Sequence, residues 1–366
     1  MPIYSGTCIR LGLLTELFDT DIVNCRYILR GDFVMKEKAT LHWAILGTGV
    51  VANEMAQALT NAGKEIYAVG NRTYDKAVAF GEKYSIKKVY DDFNEMFTDE
   101  AVDVIYLTTP HNTHIDFMRE AIKNGKHLLC EKSITLNSRE LREAVDAARE
   151  KKIVLAEAMT IYHMPIYKKL REYVSSGKLG RVNLIQLNFG SYKAYDMNNR
   201  FFNMSLAGGA LLDIGVYAFS LARSFLDSKP NEILSKVQSA PSGADETSGF
   251  VMTNKEGQMV VASLSLHSKQ PKRAVISCER GYIEIMEYPR AEEAVIVDAE
   301  TGERTILRAG EQKKALQYEM EDMEAAIAGD ISIMRLSDTI DVMEMMSEIR
   351  TGWKMYYPSE NENGIL

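Results

Sequence analysis

Between residues 41 and 157 short apolar runs alternate with longer segments whose apolar positions follow a helical period. The strand-like runs fall at 43–46, 66–69, 104–107, 127–130 and 153–156, with a shorter one at 88–90. Helix-like segments at 50–59, 75–84, 113–123 and 138–150 separate them. Strands and helices alternating at these lengths make parallel βαβ units, and unbroken apolar strands suit a parallel sheet covered on both faces. The pattern predicts a doubly wound α/β fold for this half of the chain.

Beyond residue 161 the alternation changes. An amphipathic helix at 165–174 precedes strand-like runs at 182–189, 249–253, 259–266, 274–278 and 281–286, some of period two. These predict an α+β domain with a largely antiparallel open sheet, one face of it covered. A helix at 209–225 interrupts the series. Leu316, Met320, Met323 and Ile327 share one face of a helix that Gly329 is placed to end, and another helix spans 337–353.

The richest local signal is Gly47-Thr48-Gly49-Val50-Val51-Ala52, lying between the first strand and the first helix. The first glycine allows a tight turn, the second lets backbone approach a diphosphate, and Ala52 permits close helix–strand packing. The helix N-terminus then offers N–H groups to the phosphates. Gly47, Thr48, Gly49, Val50 and Val51 are therefore candidate cofactor contacts, and the predicted architecture is a Rossmann sheet followed by the α+β domain. After the second strand the chain reads Val69-Gly70-Asn71-Arg72-Thr73, with no acid to meet a ribose 2′-hydroxyl. Arg72 and Asn71 suit a 2′-phosphate, so NADP(H) is favoured and NAD(H) not excluded. The bland alternative makes Arg72 a solvated side chain.

A length of 366 residues exceeds one ordinary core, so two domains are expected: 39–160 for the dinucleotide and 161–358 for substrate, with the last helices able to pack back on the first domain. Residues 1–38 read as a leader outside the fold, with Met35 as a candidate start or the leader as a targeting extension. A net charge of −8 argues against nucleic acid or anionic membrane as partner and leaves a small-molecule substrate. Cys8, Cys25, Cys130 and Cys278 have neither zinc nor disulfide spacing. They read as reduced thiols of a cytoplasmic protein, without a metal site. No apolar run reads as long enough to span a bilayer.

Three more segments complete the constellation. Thr108-Thr109-Pro110-His111-Asn112-Thr113-His114 follows the fourth strand, Cys130-Glu131-Lys132-Ser133 the fifth, and Gly208-Gly209-Ala210-Leu211-Leu212-Asp213-Ile214-Gly215-Val216-Tyr217 lies in the second half. With the glycine loop, in this order, they resemble the glucose–fructose oxidoreductase / inositol dehydrogenase / MocA family over residues 41–357. Tyr217 and the Ala-Glu-Ala-Met run at 156–159 look most like its dimeric dihydrodiol dehydrogenase branch.

The resemblance implies a catalytic lysine at Lys132, within a Glu-Lys-Pro motif in which Ser133 here replaces the proline. It also implies a catalytic pair at Asp213 and Tyr217, where many members carry Asp and His, and a homodimer or higher homo-oligomer paired through the second sheet. Thr109, Pro110, Asn112, His114, Glu131 and Lys132 would meet the cofactor. Residues i and i+4 share a helix face, so Asp213 and Tyr217 can reach one cleft. An ammonium beside a phenol favours phenolate, which suits Tyr217 to proton transfer; a packed aromatic is the alternative. His163 and Arg200 are candidate substrate contacts, or else a junction histidine and a solvated arginine. The expected activity is hydride transfer between nicotinamide and a hydroxyl or carbonyl of a small sugar, polyol or cyclic diol. Alternatives are a redox-neutral isomerase or lyase that recycles its cofactor, and a non-catalytic NADP sensor.

Overall fold

The computed structural model describes residues 40–362. The leader assigned to 1–38, with Met35, Cys8 and Cys25, lies outside the described residues. Strands β1 (Trp43–Leu46), β2 (Ile66–Gly70), β3 (Lys88–Tyr90), β4 (Val104–Leu107), β5 (His127–Glu131) and β6 (Leu155–Ala158) form one sheet. Its order is β3-β2-β1-β4-β5-β6 and every pair is parallel. Helices α1 (Val50–Asn61), α2 (Tyr74–Tyr84), α3 (Phe93–Thr98), α4 (His114–Lys123) and α5 (Ser138–Lys151) connect the strands. The direction of winding reverses between β1 and β4. That reversal opens a crevice at the carboxyl ends of the strands, where ligands of such sheets bind. Trp43, Ala44, Ile45 and Leu46 are all fully buried, as a central parallel strand requires.

Short helices α6 (Thr160–His163) and α7 (Pro165–Ser175) lead into the second sheet. It comprises β7 (Val182–Gly190), β8 (Glu232–Ser239), β9 (Asp245–Thr253), β10 (Met259–Ser265), β11 (Gln270–Cys278), β12 (Gly281–Met286), β13 (Glu293–Asp298) and β14 (Arg304–Arg308). The order is β14-β13-β12-β11-β7-β10-β9-β8, antiparallel except for β7 with β10. Helix α8 (Val216–Arg223) follows β7 in the chain, and α9 (Ala315–Ile327), α10 (Leu336–Trp353) and α11 (Pro358–Glu362) follow the sheet. The contacts gather these elements into one compact unit. Helix α9 returns to the first sheet: Trp43 Nε1 donates to Glu324 at 3.3 Å and Lys64 pairs with the same carboxylate at 2.5 Å.

Several elements depart from the expected pattern. Strand β6 begins two residues later than predicted and includes Glu157, whose charge reads as a strand end. That carboxylate is satisfied inside the fold, accepting from the Ile134 N–H and the Thr339 hydroxyl, both at 3.1 Å. Strands β8, β13 and β14 and helix α3 carry no clear period in the sequence; β8 and β14 show mostly half-exposed or exposed residues, as sheet edges do. The helix expected at 209–225 starts as a π-type turn over Leu211–Gly215 before α8 begins. The stretch Met204–Arg223 also corrects the expectation about long apolar runs. An 18-residue window within it is apolar enough to span a bilayer by composition, yet 72% of that window is buried inside the fold.

Burial pushes the Glu157 carboxyl up from 4.5 to about 7. A carboxyl raised in the folded state holds its proton more tightly there than in the unfolded chain. Its contribution to stability therefore falls as pH climbs from the unfolded value towards the folded one, and the whole penalty stands above that. The rise corresponds to at most about 3 kcal/mol. Glu157→Gln is expected to raise the denaturation midpoint at about pH 8 and to leave it nearly unchanged at about pH 4.5. Wild-type and variant stability curves running parallel across that range would contradict this account.

Candidate active site

The glycine turn closes against the crevice. Gly47 follows β1 at φ +111°, and its N–H donates to Gly70 O of β2 at 2.8 Å. A Cβ there would lie 2.3 Å from Thr108 Oγ1, so the turn tolerates no side chain. Gly49 caps α1 without a side-chain partner, and no acid stands in the first turn of the helix. Its leading N–H groups are therefore free for an anion. Open space adjoins Gly49, where an added Cβ would meet nothing within 4 Å. Val50 is 81% exposed beside it, while Thr48 and Val51 are half-buried and Ala52 is fully buried against the sheet. The uncapped helix end, the open approach and the bare backbone together fit a dinucleotide diphosphate.

Asn71 and Arg72 follow β2 as expected. Asn71 Nδ2 donates to Thr73 O at 3.0 Å, and the Arg72 side chain is exposed. After β4 the chain makes a tight turn over His111–Thr113 before α4. Thr113 Oγ1 ties the turn by donating to Thr109 Oγ1 at 2.8 Å and Pro110 O at 2.7 Å. His114 is buried, with Nε2 2.8 Å from Thr109 O and Nδ1 3.1 Å from Ser133 O. It thus braces the loops after β4 and β5 against one another. Burial holds it below its ordinary range. Burial, with His114 and Lys132 nearby, also pushes His111 down to about 3, so the neutral ring donates from Nε2 to Lys132 O at 2.9 Å. Asn112 keeps a buried Oδ1 without a partner. An acceptor left open in this crevice suits an amide-bearing ligand.

Lys132 is where the loops from the two sheets meet. Its Nζ donates to Asp213 O at 2.8 Å and to Asp213 Oδ1 at 3.2 Å, and lies 4.9 Å from the centre of the Tyr217 ring. The next residue, Ser133, is fully buried, and its hydroxyl donates to Leu212 O at 2.8 Å. The residue standing for the family proline thus holds the loop by a hydrogen bond of its own. Burial alone would lower the Lys132 ammonium, but Asp213 and Tyr217 keep it above its ordinary range. Burial alone would raise Asp213, but Lys132 and Arg200 hold it at about 2. The three expected catalytic residues are thus brought together.

The expectation for the tyrosine needs correcting. Lys132 sits over the Tyr217 ring face, and burial outweighs the pull of the ammonium, so the phenol stands above its ordinary value. It is a neutral acid at neutral pH. Arg200 reaches Asp213 Oδ1 at 3.4 Å from a largely exposed position, joining the site through that carboxylate. His163 is fully buried and its Nδ1 lies 2.8 Å from Asp322, which also pairs with Lys168 at 2.9 Å. No hydrogen bond, ion pair or ring contact joins it to Lys132, Asp213 or Tyr217 among the described residues; α6 packs on α9 and also touches α8.

Phe189, Arg290 and Glu319 escaped the sequence reading, whereas Glu131 is among its expected cofactor contacts. Phe189, at the end of β7, lies 6.2 Å from Tyr217 between ring centres. Arg290 pairs with Glu54 of α1 at 2.8 Å. Glu131 accepts from the Tyr106 hydroxyl and from the Lys132 N–H, the latter at 3.2 Å. Glu319 is buried on α9 with both carboxyl oxygens unpartnered. The one available signal was an acid at 319 adjoining the apolar face of a helix.

Both halves match one family. The model of an oxidoreductase family with an NAD-binding Rossmann fold matches residues 41–159, and the C-terminal domain model of the same family matches residues 167–284. The chain belongs to the Gfo/Idh/MocA oxidoreductase family. Among relatives in the family is a trans-1,2-dihydrobenzene-1,2-diol dehydrogenase of Xenopus laevis, 28% identical over 86% of this chain and 99% of that one. The Mus musculus protein of the same name is 29% identical over 70% of this chain and 78% of its own. Among solved structures, a 3-ketoreductase from Actinomadura kijaniata in complex with NADP and TDP-benzene superposes with a TM-score of 0.76 at 19% identity, covering 86% of this chain and 98% of that one. Levoglucosan dehydrogenase in complex with NADH and levoglucosan gives 0.75 at 17% identity, covering 85% and 97%. At these identities the structures show the shared fold.

Proposed function

We propose that the protein uses NADP(H) to move hydride between nicotinamide and a CH–OH or carbonyl carbon of a small sugar, polyol or cyclic diol. The observation that carries this reading is the Lys132 ammonium, held 2.8 Å from Asp213 O and 4.9 Å over the Tyr217 ring at the end of β5. The nicotinamide, when bound, supplies the hydride or takes it up. Gly47, Thr48, Gly49, Val50 and Val51 would hold its diphosphate, with Asn112, Thr109, Pro110 and Glu131 towards the other end. Tyr217, neutral at rest, would give its proton to the substrate oxygen during carbonyl reduction and regain it in the reverse direction. Lys132 would stabilise the phenolate left behind, and Asp213 fixes the ammonium by taking two of its hydrogen bonds. The names of the relatives, diol and sugar dehydrogenases and a ketoreductase, support the substrate class.

A panel of polyols, sugars and cyclic diols, followed at the reduced-nicotinamide absorbance with each cofactor, tests this reading. Net cofactor turnover supports it. Product formed without absorbance change would favour a redox-neutral isomerase or lyase, and cofactor binding without product a sensor. Homodimer formation and a cytoplasmic location belong to the same reading, and sedimentation and cell fractionation decide them.

Arg72 would set the choice of cofactor. Its guanidinium follows β2 at the place of the ribose 2′-substituent and is exposed to meet it. Arg72→Ala is expected to raise the KM for NADP(H) by about 10–100-fold while changing that for NAD(H) little, the worth of a hydrogen-bonded charge. An equal effect on both cofactors would sink the assignment.

A further inference from the structure

The turn that carries Asp213 is held from outside at several points. Gly208 O accepts from the Tyr357 hydroxyl at 3.1 Å, Leu212 O from the Ser133 hydroxyl and Asp213 O from Lys132 Nζ. These bonds hold carbonyls. The N–H groups that lead a helix have no acceptor within their own turn and, when buried, need one from elsewhere. Leu211 is fully buried, and its N–H donates to Asp245 Oδ2 at 2.6 Å. Asp245 opens β9, in a distant part of the chain, and is fully buried as well. Its other oxygen stands against Gly209, where an added Cβ would lie 2.0 Å from Oδ1 and where φ is +139°. A side chain at 209 would collide with that carboxyl.

The bond falls two residues before Asp213. It anchors the start of the π-type turn Leu211–Gly215, in which the Val216 N–H reaches back to Leu211 O. Wide turns of this kind are rare and gather at functional sites. Here the turn places Asp213 O at 2.8 Å and Asp213 Oδ1 at 3.2 Å from Lys132 Nζ. We propose that Asp245 is a positioning residue of the active site: by holding the Leu211 N–H it sets the turn that presents Asp213 to Lys132. Asp245 acts through Asp213 under the proposed function, on which this reading rests, and touches neither substrate nor cofactor itself. Lys132 and Ser133 grip the turn by its carbonyls from the first sheet, and Asp245 grips it by an N–H from the second. Without that acceptor the stranded donor would draw the turn towards another partner, and Lys132 would lose its two bonds to Asp213. What Asp245 supplies is an acceptor rather than a charge. Burial pushes its carboxyl up to about 7, and both forms can accept at Oδ2.

Asp245→Asn and Asp245→Ser test this in the full chain. Asparagine keeps an acceptor oxygen at the same reach, whereas the serine hydroxyl is too short to span it. The kcat of each is measured on the first substrate that turns over in the panel of polyols, sugars and cyclic diols. It is counted per NADPH-binding site, so misfolded chains drop out, and the Kd for NADPH is taken on the same samples. Asp245→Ser is expected to lose about 10–100-fold in kcat with its Kd nearly unchanged, since a misplacement of about 1 Å can cost about 10²-fold. Asp245→Asn is expected to keep most of the kcat. A serine variant with wild-type kcat would overturn the inference, and one that no longer binds NADPH would too, by making Asp245 a residue of the fold alone. An asparagine variant as slow as the serine variant would also overturn it, because charge would then be what matters. Absence of turnover by the wild-type protein across the whole panel would instead end the proposed function, and this inference with it.

Discussion

Lys132→Met is expected to lower kcat by about 10²–10⁴-fold, the usual worth of a group assisting proton transfer, while NADP(H) binding changes far less. Methionine keeps the length and packing of the side chain, so the change removes charge. Tyr217 would then have to give up its proton without the pull of the ammonium, and burial already holds that phenol above its ordinary value. Asp213 would lose its hydrogen bonds from Nζ but retain Arg200 at 3.4 Å, which limits collapse of the site. Tyr217→Phe should show a loss of similar size. If either variant kept most of its kcat on a true substrate, the role given to that residue would be wrong.

Arg350→Met should produce the largest loss of stability, about 3–5 kcal/mol. Arg350 and Glu360 are both almost wholly buried, joined by two hydrogen bonds at 2.8 and 2.6 Å. The guanidinium also donates to Leu136 O at 2.7 Å and packs over the Tyr357 ring at 4.6 Å. Removing it strands a carboxylate that Asn137 and the Tyr357 N–H only partly satisfy. Chemical denaturation should show the midpoint falling without a change of slope. The double change Arg350→Met with Glu360→Leu should recover much of the loss, because no charge is then left bare. A double variant as unstable as the single one would place the cost in packing.

The first half of the fold was legible because parallel strands buried on both faces write themselves as unbroken apolar runs, here from Trp43 to Leu46 and from Val104 to Leu107. The glycine turn was legible because Gly47 has no alternative at its φ and against Thr108. Lys132, Asp213 and Tyr217 could be grouped by motif order and helical spacing. Their charge balance could not, since the protonation of Tyr217 depends on desolvation by residues from both sheets. Strands β8 and β14 were hidden because an edge strand need not alternate, and the true end of β6 because a buried glutamate looks like a strand end until its partners, Ile134 and Thr339, are in place. Glu319 was hidden for the same reason. One acid among the polar positions of a helix is unremarkable until the neighbouring helices close around it.

The neighbouring side chains of Lys132 and Ser133 grip the successive carbonyls of Asp213 and Leu212, one bond apiece, both at 2.8 Å. The loop from one sheet is thus stapled to the turn from the other at the reacting end of the crevice. Parting them there would break both bonds at once, so the two loops hold one another in register beside the reacting groups.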